Sequence, residues 1–217
     1  MLGDTIGKFL RGKPVTENEI QDVERLLNET QYRNSVVSGL VNGDGSLATQ
    51  IPIVRIYSEM LSENTASIEV PVSGAYKHLL IVGSGRTTEA AYYSAVGARF
   101  NGDSGANYRY QYDGGGNATQ ATAQGTGATY MIIGSMAGAS ADANAVGCLF
   151  SILPNSFGAL YKSSISVGGA HQWSATDMFV SMLVGFYQST NPVASMSIFP
   201  GSGSFVAGTA ISVYGLS

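Results

Sequence analysis

The chain has 217 residues, a net charge of −4 at neutral pH and 44% hydrophobic side chains, enough for a sizeable core. With 11 Lys and Arg against 15 Asp and Glu, it lacks the concentrated basic face that nucleic-acid binding needs. A single cysteine, Cys148, excludes an intrachain disulfide and with it the small disulfide-built secreted scaffolds.

Charge is distributed unevenly. Residues 1–33 hold eleven charged side chains, whereas residues 110–217 hold four: Asp113, Asp142, Lys162 and Asp177. A long stretch this poor in charge keeps its surface wet with Ser, Thr, Asn, Gln and Gly, a habit of packed multi-chain β proteins. Two jobs on one chain follow: a polar helical segment in front and a quiet β body behind. Met1 to Leu10 carry Asp4 and Lys8 and never reach the apolar length of a signal peptide or membrane span, so no membrane insertion is expected.

A helix start is written at Val15-Thr16-Glu17-Asn18-Glu19-Ile20. Thr16 caps, Glu19 returns a hydrogen bond to the cap, and Val15 with Ile20 closes a hydrophobic staple. Apolar residues recur at Ile20, Val23, Leu26 and Leu27, which predicts an amphipathic helix over about 16–34. A lone helix of this length is marginal in water, so its stripe of Ile20, Val23 and Leu27 needs a partner or its own copies to bury against. Residues 1–40 therefore read as an anchor. Residues 41–65 read as a connector, with a turn at Asn42-Gly43-Asp44-Gly45 and an ambiguous stretch over 50–64.

From residue 66 to 217 the period is two, cut by Gly, Asn and Ser clusters, which predicts a mainly β domain: a jelly-roll-like β-sandwich of eight to ten strands. Candidate strands run over 67–72, 77–82, 95–100, 108–112, 129–135, 145–153, 160–167, 178–188, 195–199 and 209–214. Asn101-Gly102 is a favoured tight-hairpin dipeptide. The run 114–127 (GGGNATQATAQGTG) has no apolar anchor and is expected to be a long exposed loop. Arg86 is expected at a loop tip facing a neighbouring chain, and Cys148, inside an apolar run, as a buried thiol.

No active site is announced. The His78-to-Gly85 stretch (HLLIVGSG) lacks the third small residue of a dinucleotide fingerprint, where Thr88 stands, and no β-α-β unit follows. Only His78 and His171 can serve as bases. His171, Trp173 and Asp177 form the most suggestive local set, better explained as a loop with an aromatic plug. Two separated histidines, one cysteine and scattered carboxylates build no metal site, so neither catalysis, metal nor cofactor is expected. The aromatic row Tyr108, Tyr110 and Tyr112, with Trp173, is the remaining candidate. Such rings stack on a glycan or pack in a core or interface, and packing is the favoured reading.

The run Arg99 to Tyr108 (RFNGDSGANY) resembles a segment recurrent in structural proteins of tailed bacteriophage virions, as do residues 76–82 and 205–215. The resemblance covers about 76–216 and leaves out the front helix. It implies an oligomeric β-sandwich in a fibre, spike, tail tip or capsid surface. The expectation is thus a non-enzymatic virion component and a homotrimer, made in the host cytoplasm. Its partners would be other virion proteins, met through the N-terminal segment, and a host-surface glycan. The alternatives are a capsid decoration protein and a free-standing carbohydrate-binding module.

Overall fold

In the computed structural model, residues 53–72, 76–116, 119–171 and 178–216 are described, with the side chains of Thr119 and His171 left aside. The predicted helix with Val15, Ile20, Val23 and Leu27, and likewise Trp173 and Asp177, lie outside these residues. The described part belongs to one compact unit, residues 52–217. It is mainly β: twelve strands form two antiparallel sheets, a β-sandwich, with no helix among the described residues.

The strands are β1 (Ile53–Met60), β2 (Ile68–Pro71), β3 (His78–Gly85), β4 (Tyr93–Phe100), β5 (Tyr108–Gly116) and β6 (Thr119–Ala128), followed by β7 (Met131–Ala137), β8 (Gly147–Leu153), β9 (Lys162–His171), β10 (Met178–Tyr187), β11 (Ser195–Pro200) and β12 (Ala210–Leu216). The large sheet runs β1-β12-β3-β8-β9-β10-β5-β6 and the small one β2-β11-β4-β7. Period-two alternation aims one side of each strand at the opposite sheet. Leu79 and Ile81 of β3, Ile211 and Val213 of β12, and Leu149 and Leu153 of β8 thus meet Val96, Phe100, Met131, Ile133, Met196 and Ile198 from the small sheet. Stripping water from these side chains is the main force holding the layers together.

Three expectations change here. The stretch 53–60, assigned to the connector, is edge strand β1, paired along β12 from Ile53 opposite Leu216 to Met60 opposite Ala210. Of the run 114–127, expected as a loop, residues 114–116 and 119–127 are strand: β5 and β6 pair from Tyr108 opposite Ala128 to Gly116 opposite Thr119. Backbone pairing and cross-strand ring contacts replace the missing apolar anchor. Asn101-Gly102 is a tight turn, with φ of 55° and 68° and the Asp103 amide donating to the Phe100 carbonyl at 3.0 Å. It joins no hairpin, because β4 and β5 belong to different sheets.

Candidate functional site

The outer face of the large sheet carries the unusual chemistry. In β10 (MFVSMLVGFY) the inward set is Phe179, Ser181, Leu183, Gly185 and Tyr187, and the outward set is Met178, Val180, Met182, Val184 and Phe186. The more apolar set faces out: Met182 is 59%, Val180 53% and Phe186 46% exposed. On β9 the inversion repeats, with Ser164 and Ser166 buried while Ile165 is 54% exposed and Val167 also lies open. Register joins these side chains into rows across the strands. Val82, Phe150, Val167 and Met182 stand opposite one another in turn, and the next row is Leu80, Ile152, Ile165 and Val184. The first row ends in Ser212 and Ser58 on one side and Asp113 on the other, and the second runs through Tyr214 to Arg55 on one side and ends in Gln111 on the other. An apolar centre with a polar rim is the anatomy of a protein interface.

The inner face explains the inversion. Strand β7 lies so close to β8 and β9 that Gly147 and Gly168 have no room for a side chain beneath it. A Cβ on Gly168 would sit 2.7 Å from the Ser135 amide nitrogen, and one on Gly147 would sit 2.5 Å from the Met136 Cα. The buried hydroxyls of this zone satisfy each other: Ser151 and Ser166 are 2.8 Å apart, and Ser164 donates to the Met131 sulfur at 3.0 Å. Large side chains are thereby displaced to the other face. Beside the Met178-to-Phe186 ridge, Val82, Ser84, Cys148, Phe150, Val167 and Ala210 line an open concavity of about 450 Å³. The Cys148 thiol is exposed there, a correction to the buried reading: strand alternation turns Leu149 inward and Cys148 out.

The tyrosine row keeps its alternation, with Arg109, Gln111 and Asp113 outward, but its rings lie on the inner side. Tyr108 is 0% exposed and stacks on Tyr187 with ring centres 4.7 Å apart. Tyr110 stands opposite Gly125 of β6, and its ring occupies the place a side chain there would need. Tyr112 stacks with Phe179, which in turn stacks on Tyr93 at 3.8 Å. The Tyr112 hydroxyl is buried without a hydrogen-bond partner. Burial, then the neighbouring Tyr93 and Asp113, push its pKa up to about 12.

The Arg99-to-Tyr108 run is a self-contained clasp. Arg99 lies over the Phe199 ring at 4.7 Å. Asn101 accepts from the Ala194 and Ser195 amides and donates to the Pro192 carbonyl. Asp103 accepts from the Gly105 amide and from Asn107, and these bonds hold its carboxyl below the usual range. The Tyr108 hydroxyl donates to the Asp103 carbonyl and accepts from the Phe100 amide, both at 3.0 Å. Each of these bonds closes within the chain, so the segment is a folding device.

Arg86, expected at a loop tip facing a neighbour, instead turns back on its own chain. Its guanidinium donates to the carbonyls of Gly138, Ala141, Asp142 and Ala145 and so shapes the loop between β7 and β8. We expect Arg86→Ala to cost about 2–3 kcal/mol, the range for lost charge-assisted hydrogen bonds, read as a lowered urea midpoint. Arg86→Lys should recover part of it. Lys162, 0% exposed, donates to the carbonyls of Gly158, Leu160 and Ser189, and desolvation holds its pKa below the usual lysine value.

His78 accepts the Asn155 amide through Nδ1. Among the described residues no three His, Cys, Asp or Glu side chains gather as metal ligands.

No family model matches the chain, and neither does any curated protein. Among solved structures it is similar to an exo-inulinase from Aspergillus awamori at 11% identity and TM-score 0.37, over 75% of this chain and 29% of that one. It is also similar to the CBM40 of Ruminococcus gnavus IT-sialidase bound to alpha2,3 sialyllactose (14%, TM-score 0.28, 76% of this chain and 95% of that one). A third is the Caenorhabditis elegans galectin LEC-6 (8%, TM-score 0.27, 74% and 95%). Likeness this weak carries no argument about what the chain binds.

Proposed function

We propose that this chain is a non-enzymatic structural component of a phage virion. Residues 1 to about 40, with Val15, Ile20, Val23 and Leu27, anchor it to other virion proteins. A jelly-roll-like β-sandwich then projects as a homotrimeric fibre, spike or tail-associated module that meets the host surface. The observation that carries the reading is the apolar outer face of the large sheet. A one-sided antiparallel sheet normally shows polar residues to water, and a strand apolar on both faces belongs where both are covered. The charge-poor body and the resemblance of residues 99–108 to tailed-phage virion proteins support the same assignment.

The test is co-purification. In density-gradient particles from cells making the phage, the full chain should band with the particle, and a chain lacking residues 1–40 should stay in the soluble fractions. A full chain that never bands with particles would sink the proposal.

A further inference from the structure

We propose that the outer face of β3, β8, β9 and β10 is the surface through which copies of this chain associate, the β10 ridge of one copy seating in the concavity over β3 and β8 of the next. The inference rests on the reading of the chain as an assembling protein and names the surface that does the assembling.

Extent is the first argument. Partly exposed apolar side chains run without interruption from Val82 through Phe150 and Val167 to Met182, and along β10 from Met178 to Phe186. Together they offer on the order of 800 Å², the share one partner contributes to a standard interface. A patch of this size exceeds what monomers usually leave open.

Shape is the second. The ridge and the concavity of about 450 Å³ lie on the same face and meet at Val167 of β9, which lines the concavity and stands opposite Met182, so one surface carries both a protrusion and a recess to receive it. Placing a ridge in a neighbour's concavity builds a reciprocal pair, a closed ring or an open filament, according to the rotation between copies.

Charge is the third. No Asp, Glu, Lys or Arg projects from this face on β3, β8, β9 or β10, so a second copy meets no repulsion. The rim adds complementarity: Arg109 and Asp113, both exposed on β5 beside the ridge, can pair across a symmetry axis. A face without basic residues is poorly suited to an anionic bilayer.

Cys148 lies inside the concavity and reports on its occupancy. The experiment uses the full chain, with mass by light scattering and the rate of maleimide labelling at Cys148 measured over the same dilution series. The expected result is an oligomer at micromolar concentration, with labelling at least tenfold slower there than in the diluted monomer. The double variant Val180→Glu, Met182→Glu should raise the dissociation midpoint by roughly a hundredfold, because it buries unpaired carboxylates at the centre of the interface. Its labelling should then be fast at every concentration. Both side chains point to water in the isolated chain, so thermal unfolding should stay cooperative; should the double variant not fold, Phe186→Ser and the wild-type labelling series carry the test. A mass of three copies or of two is consistent with this interface.

Three outcomes overturn the inference. One is a wild-type monomer throughout the series, with Cys148 open or already protected. Another is a variant that remains oligomeric with Cys148 protected. The third is a monomer that floats with neutral phosphatidylcholine vesicles, which would give the face to lipid. None of these readings depends on particles, so failure of the virion reading is separately visible in the gradient.

Discussion

Gly147→Val should abolish folding of the sandwich or cost more than about 4 kcal/mol, while Cys148→Val, one residue on, should change stability by less than about 0.5 kcal/mol. The contrast comes from opposite faces of one strand. A Cβ at Gly147 would stand 2.5 Å from the Met136 Cα, 2.6 Å from the Ala137 nitrogen and 2.8 Å from the Met136 carbonyl carbon. All three atoms are backbone, so no rotamer change relieves the clash. Either β7 lifts away from β8 or β8 leaves the sheet.

Lifting β7 is expensive because Met131, Ile133 and Met136, all buried, lie along it and pack into the main core. Interiors pack like molecular crystals, and a shift that opens a gap forfeits contacts along the whole strand. Cys148 faces the open concavity, where the added methyl of valine meets solvent. Soluble yield and thermal unfolding followed by circular dichroism check the pair. A Gly147→Val chain that melts within a few degrees of wild type would show that β7 does not lie this close.

Much of the sandwich is legible from alternation and turn residues, since the ten predicted strand spans overlap ten of the twelve strands. The two missed strands are the edges of the large sheet, each paired on one side only. β6 (TQATAQGTGA) has no large apolar residue, whereas β1 (IVRIYSEM) has several but no clean period of two, so its stretch reads as readily for a helical turn as for a strand. β6 is held by backbone pairing and by Tyr110 lying over Gly125, a contact between residues fifteen apart that no local window reveals. The apolar face was hidden for another reason. Alternation in β10 separates two sets of side chains without saying which turns inward, and the deciding factor, the close approach of β7, is a long-range fact. Arg86 and Cys148 show the same limit: one is set by four carbonyls more than fifty residues away, the other by strand phase.

Alkaline unfolding should begin near pH 10, and two single substitutions should separate its causes. The Tyr108 phenol is buried and its pKa is raised, chiefly by desolvation; Tyr187 is raised likewise, and Tyr112 stands at about 12. In the unfolded chain these phenols ionise near pH 10. Between pH 10 and 12 the unfolded state therefore releases protons that the folded state keeps, and stability, full below pH 10, is lost as pH rises. Each tenfold change in proton affinity corresponds to about 1.4 kcal/mol, so Tyr112 alone should remove on the order of 1–2 kcal/mol across this window, and Tyr108 and Tyr187 add to the loss in the same direction.

Lys162 acts in the opposite direction. Its folded pKa is lowered, so the penalty for burying its charge is present at neutral pH and relieved as pH climbs toward 10.5. Stability should thus rise slightly before the tyrosine-driven fall. Tyr108→Phe removes two hydrogen bonds and should cost about 1–3 kcal/mol at pH 7 while flattening the alkaline slope. Tyr112→Phe removes a hydroxyl that has no partner, so it should be neutral or stabilising by about 1 kcal/mol at pH 7 and flatten the same slope. Urea midpoints for the three chains at pH 7, 9, 10, 11 and 11.5 decide it. Equal losses at pH 7 would show that the Tyr112 hydroxyl is bonded after all, and an alkaline slope unchanged in both variants would place its origin outside the tyrosine row.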